Sequence, residues 1–376
     1  MSHDARAGAE RAKAHAYAVG FDLAGIATLG TVETAPQLDE WLAAGHHGEM
    51  AYLERGRGLR EDTTRPEPGM RTAIVVARDY GGKQPSGPVA RYARGDDYHE
   101  VMRAQLRELH ASLERELGVT FAARAYVDTG PILERDLARR AGLGWFGKNT
   151  MLINPKRGSF FFLGALFTTL DLAADEPFAT DHCGTCTRCL EACPTGAFVE
   201  PRVMDATKCI SYLTIEHRSA MPSELRSHVS GLVFGCDICQ DVCPWNEKFA
   251  SMPRADALAP RDDRVTPDLR EWLSMTDEQF RARFRGSAMT RAKRRGLARN
   301  VAVALGNRRD EADVPALVTA LRGDPESLVR MHAAWALGQF DGSVSARDGL
   351  IAARDTERDS SVRSEIDVAL RSLDLP

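Results

Sequence analysis

Cysteine is absent from most of this sequence. The chain has 376 residues and eight cysteines, and none of the eight lies before residue 183 or after residue 243. A chain that keeps all of its cysteines in one short segment concentrates its thiol chemistry there. We therefore expect one thiol-bearing module between two others.

Long apolar runs and export signals are also absent. The longest apolar run, FFFLGALFTTL at 160–170, is far too short to cross a bilayer. The N-terminal segment alternates charge with alanine and shows neither an apolar signal core nor a twin-arginine pair. We expect a cytoplasmic protein, whose reducing surroundings disfavour disulfides. The net charge of −4 excludes a uniformly basic polyanion binder, so local patches must make such contacts.

The N-terminal part mixes strand and helix patterns, which predicts an α/β domain over 1–175. Runs of β-branched and aromatic residues predict strands within 22–29, 71–80, 121–130 and 158–172. Apolar residues at helical spacing predict a helix over 98–117, ended by Gly118. A further helix is predicted from Pro131, with that proline in its first turn.

The C-terminal part repeats itself. LARNVAVALG at 297–306, VRMHAAWALG at 329–338 and VRSEIDVAL at 362–370 recur every 32 to 33 residues. Stacked helical units have such a period, so 281–376 is predicted to be a HEAT-like helical solenoid, with a plain helical bundle as the alternative. Residues 251–280 begin with a stretch rich in proline, aspartate and arginine and are predicted to be a connector.

The cysteines form two motifs within 176–250. The first is C-x2-C-x2-C-x3-C-P, and the second is one isolated cysteine followed by C-x2-C-x3-C-P. In bacterial dicluster ferredoxins three closely spaced thiolates hold one cube, and the cysteine before proline ligates the other. This spacing assigns Cys183, Cys186, Cys189 and Cys243 to one [4Fe–4S] cluster, and Cys193, Cys209, Cys236 and Cys239 to a second.

Zinc is the alternative to these clusters. All-cysteine zinc sites normally use paired C-x2-C knuckles, which the first motif does not match. The insertion at 210–235 is too long for a minimal ferredoxin and must have another role. Because each cluster passes one electron at a time, the flanking domains must consume the electrons.

Several long motifs, in order, resemble the epoxyqueuosine reductase family. They are YVDTGPILERDLARRAGLGWFGKNTMLINPKRGSFFFLG at 126–164, CGTCTRCLEACPTGAF at 183–198, KCISYLTIE at 208–216 and FGCDICQDVCPWN at 234–246. The resemblance covers almost the whole chain, including the helical repeats. It implies an α+β multidomain oxidoreductase with a mixed α/β cobalamin-binding domain, a dicluster ferredoxin-like module and C-terminal HEAT-like repeats.

The resemblance also implies the reaction. Members reduce the epoxide of epoxyqueuosine at the tRNA wobble position to the alkene of queuosine, the last step of queuosine synthesis. Two electrons would pass through the two [4Fe–4S] clusters to cobalamin, which accepts electrons singly. An external donor such as a ferredoxin or flavodoxin would supply them.

The implied catalytic residue is Asp128, the proton donor to the opening epoxide. Such a donor needs a raised pKa, which burial against the corrin would supply. Taken alone, the position of Asp128 favours a turn or cap residue, and only the resemblance gives it the catalytic role. The string DYHEVM at 97–102 lacks the glycine of the common D-x-H-x-x-G cobalamin signature, so we expect Asp97 to cap the helix and no histidine ligand from this motif.

The implied cobalamin contacts are scattered along the chain. They are Arg60, with Arg65 as the alternative, Lys148 beside Asn149, Ser211 and Asp237. For the arginine the competing interpretation is a solvated surface residue, and for the others hydrogen bonding within a loop. Trp145 and Phe146 are expected to be core aromatics.

Basic residues concentrate at 281–309, where nine arginines and one lysine occur without an acidic residue. Such a segment at the start of a helical solenoid predicts contact with the tRNA backbone. The residues we expect to bind phosphate are Arg291, Lys293, Arg294 and Arg295. A solvated, salt-bridged helix face is the alternative.

Two other functions remain open. A reductive dehalogenase also pairs cobalamin with two clusters, but it would normally have an export signal and no use for basic repeats. A non-enzymatic electron carrier would not need the long α/β domain. Corrinoid content and tRNA binding separate the three functions.

Overall fold

The chain, described over residues 3–373 by a computed structural model, forms two compact units. The first comprises Met1–Gln84, Gly95–Asp205 and Asp237–Ala259, and the second comprises Pro85–Arg94, Ala206–Cys236 and Pro260–Pro376. The cysteine segment contributes to both units, so the ranges 1–175, 176–250, 251–280 and 281–376 stay a prediction. Within residues 3–373 no helix is long and apolar enough to cross a membrane.

A four-stranded antiparallel sheet and two short hairpins belong to the first unit. The strands are β1 (Leu23–Thr28), β2 (Thr72–Asp79), β3 (Ala123–Tyr126), β4 (Trp145–Phe146), β5 (Leu152–Ile153), β6 (Phe161–Thr168), β7 (Phe198–Glu200) and β8 (Val203–Met204). The sheet has the order β1-β2-β6-β3, and the hairpins are β4-β5 and β7-β8. The four predicted strands are confirmed, and β3 lies at an edge of the sheet.

Nine helices of the described residues lie in the first unit. They are α1 (His3–Ala18), α2 (Ala35–Ala43), α3 (Tyr52–Arg55), α4 (Arg57–Arg60), α5 (Tyr98–Leu117), α6 (Glu134–Arg140), α7 (Arg188–Glu191), α10 (Ile238–Asp241) and α11 (Pro244–Phe249). The prediction for α5 is confirmed at both ends, and Gly118 adopts the left-handed conformation that stops the helix.

The predicted start of α6 at Pro131 is wrong. The first helical residue is Glu134, and the earliest helical hydrogen bond runs from the Leu137 N–H to the Leu133 carbonyl at 3.1 Å. Asp128 has a φ of 58°, a left-handed conformation that no helix continues. Residues 127–133 therefore form a turn that separates β3 from α6.

The second unit is helical. Its helices are α8 (Ile210–Ile215), α9 (Ser223–Arg226), α12 (Asp262–Val265), α13 (Leu269–Ser274), α14 (Asp277–Arg283), α15 (Lys293–Arg308), α16 (Val314–Gly323), α17 (Ser327–Leu337), α18 (Val344–Arg354) and α19 (Ser360–Leu373). Leu269, Trp272 and Phe280 share a buried core with the repeats, so the end of the predicted connector packs as part of the helical unit.

The repeated A-L-G strings end helices that pack closely. A Cβ atom added to Gly306 would lie 2.8 Å from Ala336, and one added to Gly338 would lie 2.8 Å from Ala369. The same contact thus recurs between α15 and α17 and between α17 and α19. Glycine is needed at both positions because a side chain would separate the stacked helices.

The insertion at 210–235 packs against α15. The fully buried Asn300 donates to the carbonyls of Thr214 and Val233 at 2.8 and 2.9 Å. Its neighbour Arg299, also buried, donates to three further backbone carbonyls of the insertion. The insertion, which joins Cys209 to Cys236, is therefore held against the first repeat helix.

Candidate active site and cluster centre

Four thiols line one cavity of about 330 Å³ in the first unit. They belong to Cys183, Cys186, Cys189 and Cys243, the set predicted for the first cluster. Burial raises the pKa of the Cys189 and Cys243 thiols, and neighbouring thiolates of the set raise it further. Thiols placed around such a volume fit a four-iron cube, in which each iron takes one thiolate.

Two side chains of the turn between β4 and β5 donate hydrogen bonds to the loops that carry the cysteines. Lys148 Nζ donates to the carbonyls of Gly184 and Cys186 at 2.7 and 2.9 Å. Asn149 Nδ2 donates to the carbonyl of Cys239 at 3.2 Å. Lys148 thus positions a loop of the first cluster, and its contact with cobalamin stays a prediction.

The second predicted ligand set is divided between the units. Cys193 and Cys239 belong to the first unit, and Cys209 and Cys236 belong to the second. The Cys193 sulfur accepts a hydrogen bond from the Ala197 N–H at 3.4 Å. The grouping of these four cysteines around one cluster stays a prediction.

Asp128 lies in the tight turn between β3 and α6. The Thr129 N–H donates to the Val127 carbonyl at 2.6 Å, and the left-handed backbone of Asp128 is strained for a residue with a Cβ atom. The side chain is 63% exposed. The protein itself therefore presents this carboxyl to solvent and does not bury it.

His99 connects Asp128 to the start of α5. Its Nε2 lies 3.2 Å from Asp128 Oδ2, and its Nδ1 lies 2.6 Å from Asp97 Oδ1. Burial opposes a charge on His99, but the hydrogen bonds to Asp128 and Asp97 outweigh burial and raise the pKa of His99 to about 9. A ring with this pKa is an imidazolium at neutral pH and can donate a hydrogen bond from each nitrogen.

Sequence reasoning missed His99. The predicted cap is confirmed, since Asp97 Oδ1 accepts from the His99 N–H at 3.0 Å. The same carboxylate also orients the imidazole toward Asp128, which lies 29 residues further along the chain. The D-Y-H string could have indicated this role of His99, because an aspartate two residues before a histidine can both cap a helix and orient the imidazole ring.

Arg60 and Glu134 each have a buried side-chain atom without a hydrogen bond, and the charge of each affects the pKa of the other. Arg60 is 8% exposed, and Glu134 is half-buried at the start of α6. Within residues 3–373, neither Arg60 Nη1 nor Glu134 Oε1 has a hydrogen-bond partner. Burial, followed by the charge of Asp128, raises the pKa of Glu134 to about 8, and burial lowers the pKa of Arg60. A buried donor without an acceptor is costly, so Arg60 marks a place for a ligand oxygen.

The other candidate cofactor contacts have distinct surroundings. Asp237 is buried directly before α10, and Ser211 is half-buried within α8 of the second unit. Arg65 forms an exposed ion pair with Glu61, so Arg60 is the better candidate of the two arginines. Trp145 is a core aromatic as predicted, with 3% of its surface exposed.

The basic segment 281–309 is partly neutralised by acidic residues from elsewhere in the second unit. Arg291 donates twice to Glu216, at 2.8 Å each. Arg294 has a side chain only 4% exposed and donates to Asp324 at 2.7 and 3.0 Å. The prediction that Arg294 contacts tRNA is corrected, because a buried guanidinium committed to a carboxylate cannot reach a phosphate.

Other cations of the segment remain accessible. Arg295 approaches Glu326 only to 3.9 Å and is 47% exposed. Arg281, Arg285 and Lys293 are exposed and form no ion pair in the described part of the chain. The surface that could meet a phosphate backbone is therefore smaller than the sequence predicts, and Lys293 and Arg295 remain in it.

Comparison with known proteins identifies the family. The epoxyqueuosine reductase of Pseudomonas aeruginosa is 42% identical over 329 residues, which is 85% of this chain and 91% of that protein. The chain belongs to the epoxyqueuosine reductase family. The epoxyqueuosine reductase of Escherichia coli is 38% identical over 341 residues, 88% of this chain and 89% of that protein.

Solved epoxyqueuosine reductases share the fold. A crystal structure of one with an epoxyqueuosine-modified tRNA-Tyr stem loop has a TM-score of 0.89 and 29% identity, and covers 97% of this chain and 98% of that one. The Bacillus subtilis enzyme, with a catalytic aspartate loop swung out of the active site, has a TM-score of 0.86 and 28% identity at the same coverage.

Family models match three parts of the chain. The model described as Epoxyqueuosine reductase QueG, DUF1730, matches 60–129. The 4Fe-4S double cluster binding domain matches 182–246, and the HEAT repeats match 282–371. This epoxyqueuosine reductase family member is therefore an oxidoreductase with two [4Fe–4S] clusters and helical repeats. The predicted fold class is confirmed, and zinc, the electron carrier and the dehalogenase are excluded by the family.

Proposed function

We propose that this chain reduces epoxyqueuosine to queuosine at the wobble position of tRNA, with Asp128 as the proton donor. The observation that carries the proposal is the exposed Asp128 carboxyl hydrogen-bonded to a protonated His99. A four-thiol cluster cavity in the same unit provides for redox chemistry. Membership of the family supports this substrate.

The reaction needs protons as well as electrons. Converting an epoxide to an alkene takes up two electrons and two protons, breaks both carbon–oxygen bonds and releases the oxygen as water. An acid that protonates the oxygen as its bonds break lowers the barrier, because the alternative leaving group is a strongly basic alkoxide. Asp128, accessible at a turn, is placed to be that acid.

The Asp128–His99 pair holds the proton as a unit. A carboxylate beside an imidazolium and a carboxylic acid beside a neutral imidazole contain the same number of protons, so the two groups titrate together. When Asp128 gives a proton to the substrate oxygen, His99 stabilises the resulting carboxylate and can replace the proton. Asp97 keeps the imidazole oriented throughout by its hydrogen bond to Nδ1.

Arg60 has the surroundings that a cobalamin contact needs. Arg60 is buried with an unbonded Nη1 and would donate to a side-chain amide oxygen of the corrin. Asp237, Ser211 and Lys148 remain proposed contacts. When bound, cobalamin supplies a cobalt centre that accepts electrons singly and becomes strongly nucleophilic on reduction. Arg60 and its neighbours bind and orient the group, while Asp128 and His99 hold the proton.

The partners follow from this substrate. We infer that tRNA binds with its anticodon loop at Asp128, because a modified wobble base is most accessible in a single-stranded loop. Lys293 and Arg295 would contact its backbone. A ferredoxin or flavodoxin would supply electrons to the clusters, and a tRNA substrate supports a cytoplasmic location.

Nucleoside analysis tests the proposed function. Protein reconstituted with iron, sulfide and cobalamin is reduced and incubated with tRNA that contains epoxyqueuosine, and the nucleosides are then analysed by mass spectrometry. We expect queuosine, lighter by one oxygen atom, to replace epoxyqueuosine. Unchanged epoxyqueuosine with protein that carries about eight irons per chain would contradict the proposal.

A further inference from the structure

An open cavity lies beside the Asp128 turn, on the side of the sheet edge. Its volume is about 650 Å³. The turn itself forms one wall, through Val127, Thr129, Gly130 and Pro131. The other walls come from β3, one face of α5 and residues 65–67. Neither the family matches nor the cluster chemistry assigns a role to this cavity.

Arginines dominate the walls. Arg65, Arg103, Arg107 and Arg124 line the cavity, against a single acidic residue, Glu67. That carboxylate is already engaged, since it accepts from the Tyr126 hydroxyl at 3.1 Å and pairs with Arg124 at 3.3 Å. Arg65 pairs with Glu61 and Arg103 with Glu100, so the excess positive charge of the cavity comes mainly from Arg107, in a chain whose net charge is −4.

The arginines differ in how firmly they are held. Arg103 donates to the Thr129 hydroxyl at 2.8 Å and so links the cavity wall to the residue after Asp128. Arg107, one helical turn further along α5, is exposed and forms no ion pair in the described part of the chain. Its guanidinium is available to an anion that enters the cavity.

The shape and charge select a phosphodiester. Guanidinium groups form forked hydrogen bonds with phosphate oxygens, and several arginines on one wall suit a chain of phosphates better than a single small anion. A nucleotide whose base reaches Asp128 has its own phosphates within about one nucleotide of that carboxyl. The arginine cavity is lined by residues of that same turn, Val127, Thr129, Gly130 and Pro131.

We propose that this arginine cavity binds the RNA phosphodiester backbone beside the modified nucleotide and thereby places that nucleotide at Asp128. The inference rests on the proposed function and deepens it, since it names a second RNA contact in addition to the basic repeat helix. Arg107 is the phosphate-binding residue that the protein leaves unpaired, and Arg103 couples the bound backbone to the Asp128 turn.

The test is a charge change at Arg107. Arg107→Glu and Arg107→Lys are compared with Arg115→Glu, a matched control on α5 whose exposed guanidinium pairs with Glu108 and does not line the cavity. Binding of an unmodified anticodon stem loop is measured by fluorescence anisotropy over a range of salt concentrations. Corrinoid content is measured by absorbance in each variant.

We expect Arg107→Glu to weaken stem-loop binding about tenfold or more, since it removes one charged hydrogen bond and adds repulsion. The slope of log affinity against log salt should fall by about 0.7 for one lost phosphate contact. Arg107→Lys keeps the charge and should keep the slope, and Arg115→Glu should change the affinity less than Arg107→Glu.

Equal effects of Arg107→Glu and Arg115→Glu, or no stem-loop binding by the wild type, would overturn the proposal. A loss of corrinoid in Arg107→Glu would also overturn it, because the cavity would then hold the phosphodiester of the cofactor. If the wild type binds the stem loop through Arg107 but never forms queuosine, the proposed function fails and the cavity proposal stands.

Discussion

The carboxyl of Asp128 is held in solvent by a strained turn and oriented by a histidine from another element. Left-handed φ values at residues with a Cβ atom persist where the surroundings enforce them, and here the Thr129–Val127 hydrogen bond closes the turn. His99 then fixes the direction of the carboxyl at a distance of 3.2 Å. At the scale of single residues, the proposed proton donor therefore lies beside a group that can replace its proton.

Replacing Asp128 should separate chemistry from cofactor binding. We expect Asp128→Asn to retain iron and corrinoid but to lose at least about 100-fold in turnover, because the amide has no transferable proton. Nucleoside mass spectrometry measures the rate, and Asp171→Asn, at another exposed aspartate, is the control. Near-normal turnover in Asp128→Asn would remove this carboxyl from the mechanism.

The titration of His99 should make the reaction rate depend on pH. Its pKa is raised from an ordinary value near 6.5 to about 9, so its ion pairs stabilise the folded turn fully below about pH 6.5 and are lost as pH rises through about 9. We expect the rate to fall over the same upper range. His99→Gln should move that fall to lower pH, whereas His110→Gln on the same helix should not. An unchanged profile in His99→Gln would exclude it as the positioning residue.

At the scale of elements, the helical repeats do more than stack. The first repeat helix, α15, holds the insertion at 210–235 through Asn300 and Arg299. Its own stacking on α17 depends on the close contact at Gly306, and Gly338 makes the corresponding contact between α17 and α19. One helix therefore serves both the cluster-motif segment of the second unit and the repeat array.

Two glycine substitutions test the stacking. Gly338→Ala should lower the free energy of unfolding by about 1–3 kcal/mol, because the new Cβ would lie 2.8 Å from Ala369. Gly323→Ala, in α16, has nothing within 4 Å of its Cβ and should be neutral or stabilising through helix propensity. Urea unfolding measures both, and equal effects would contradict the packing argument.

At the scale of the whole molecule, function requires that RNA, clusters and cobalamin be held by one chain whose overall charge is negative. Local basic surfaces must therefore bind the RNA. The basic segment of the repeats presents fewer free cations than its sequence predicts, because carboxylates such as Asp324 and Glu216 pair with it.

The free cations of this segment should carry its contribution to tRNA binding. We expect Lys293→Ala with Arg295→Ala to weaken tRNA binding and to reduce its salt dependence, by about 0.7 to 0.9 in slope for each phosphate released. Arg294→Ala should instead lower the free energy of unfolding, since it leaves the buried Asp324 unpaired. Anisotropy and urea unfolding separate the two effects. A salt slope unchanged in the Lys293/Arg295 variant would remove the segment from the interface.

The sequence alone predicted the cluster ligand sets, the four strands of the sheet, helix α5 and the helical repeats, because each depends on local spacing or periodicity. The thiols of Cys183, Cys186 and Cys189 are near neighbours in the chain, and even Cys243 follows from a known motif. Only the tertiary structure placed His99 beside Asp128, buried Arg294 against Asp324 and gathered four arginines around one cavity. These contacts join residues that are far apart in sequence, and what decides them is how the folded elements pack, which no local pattern records.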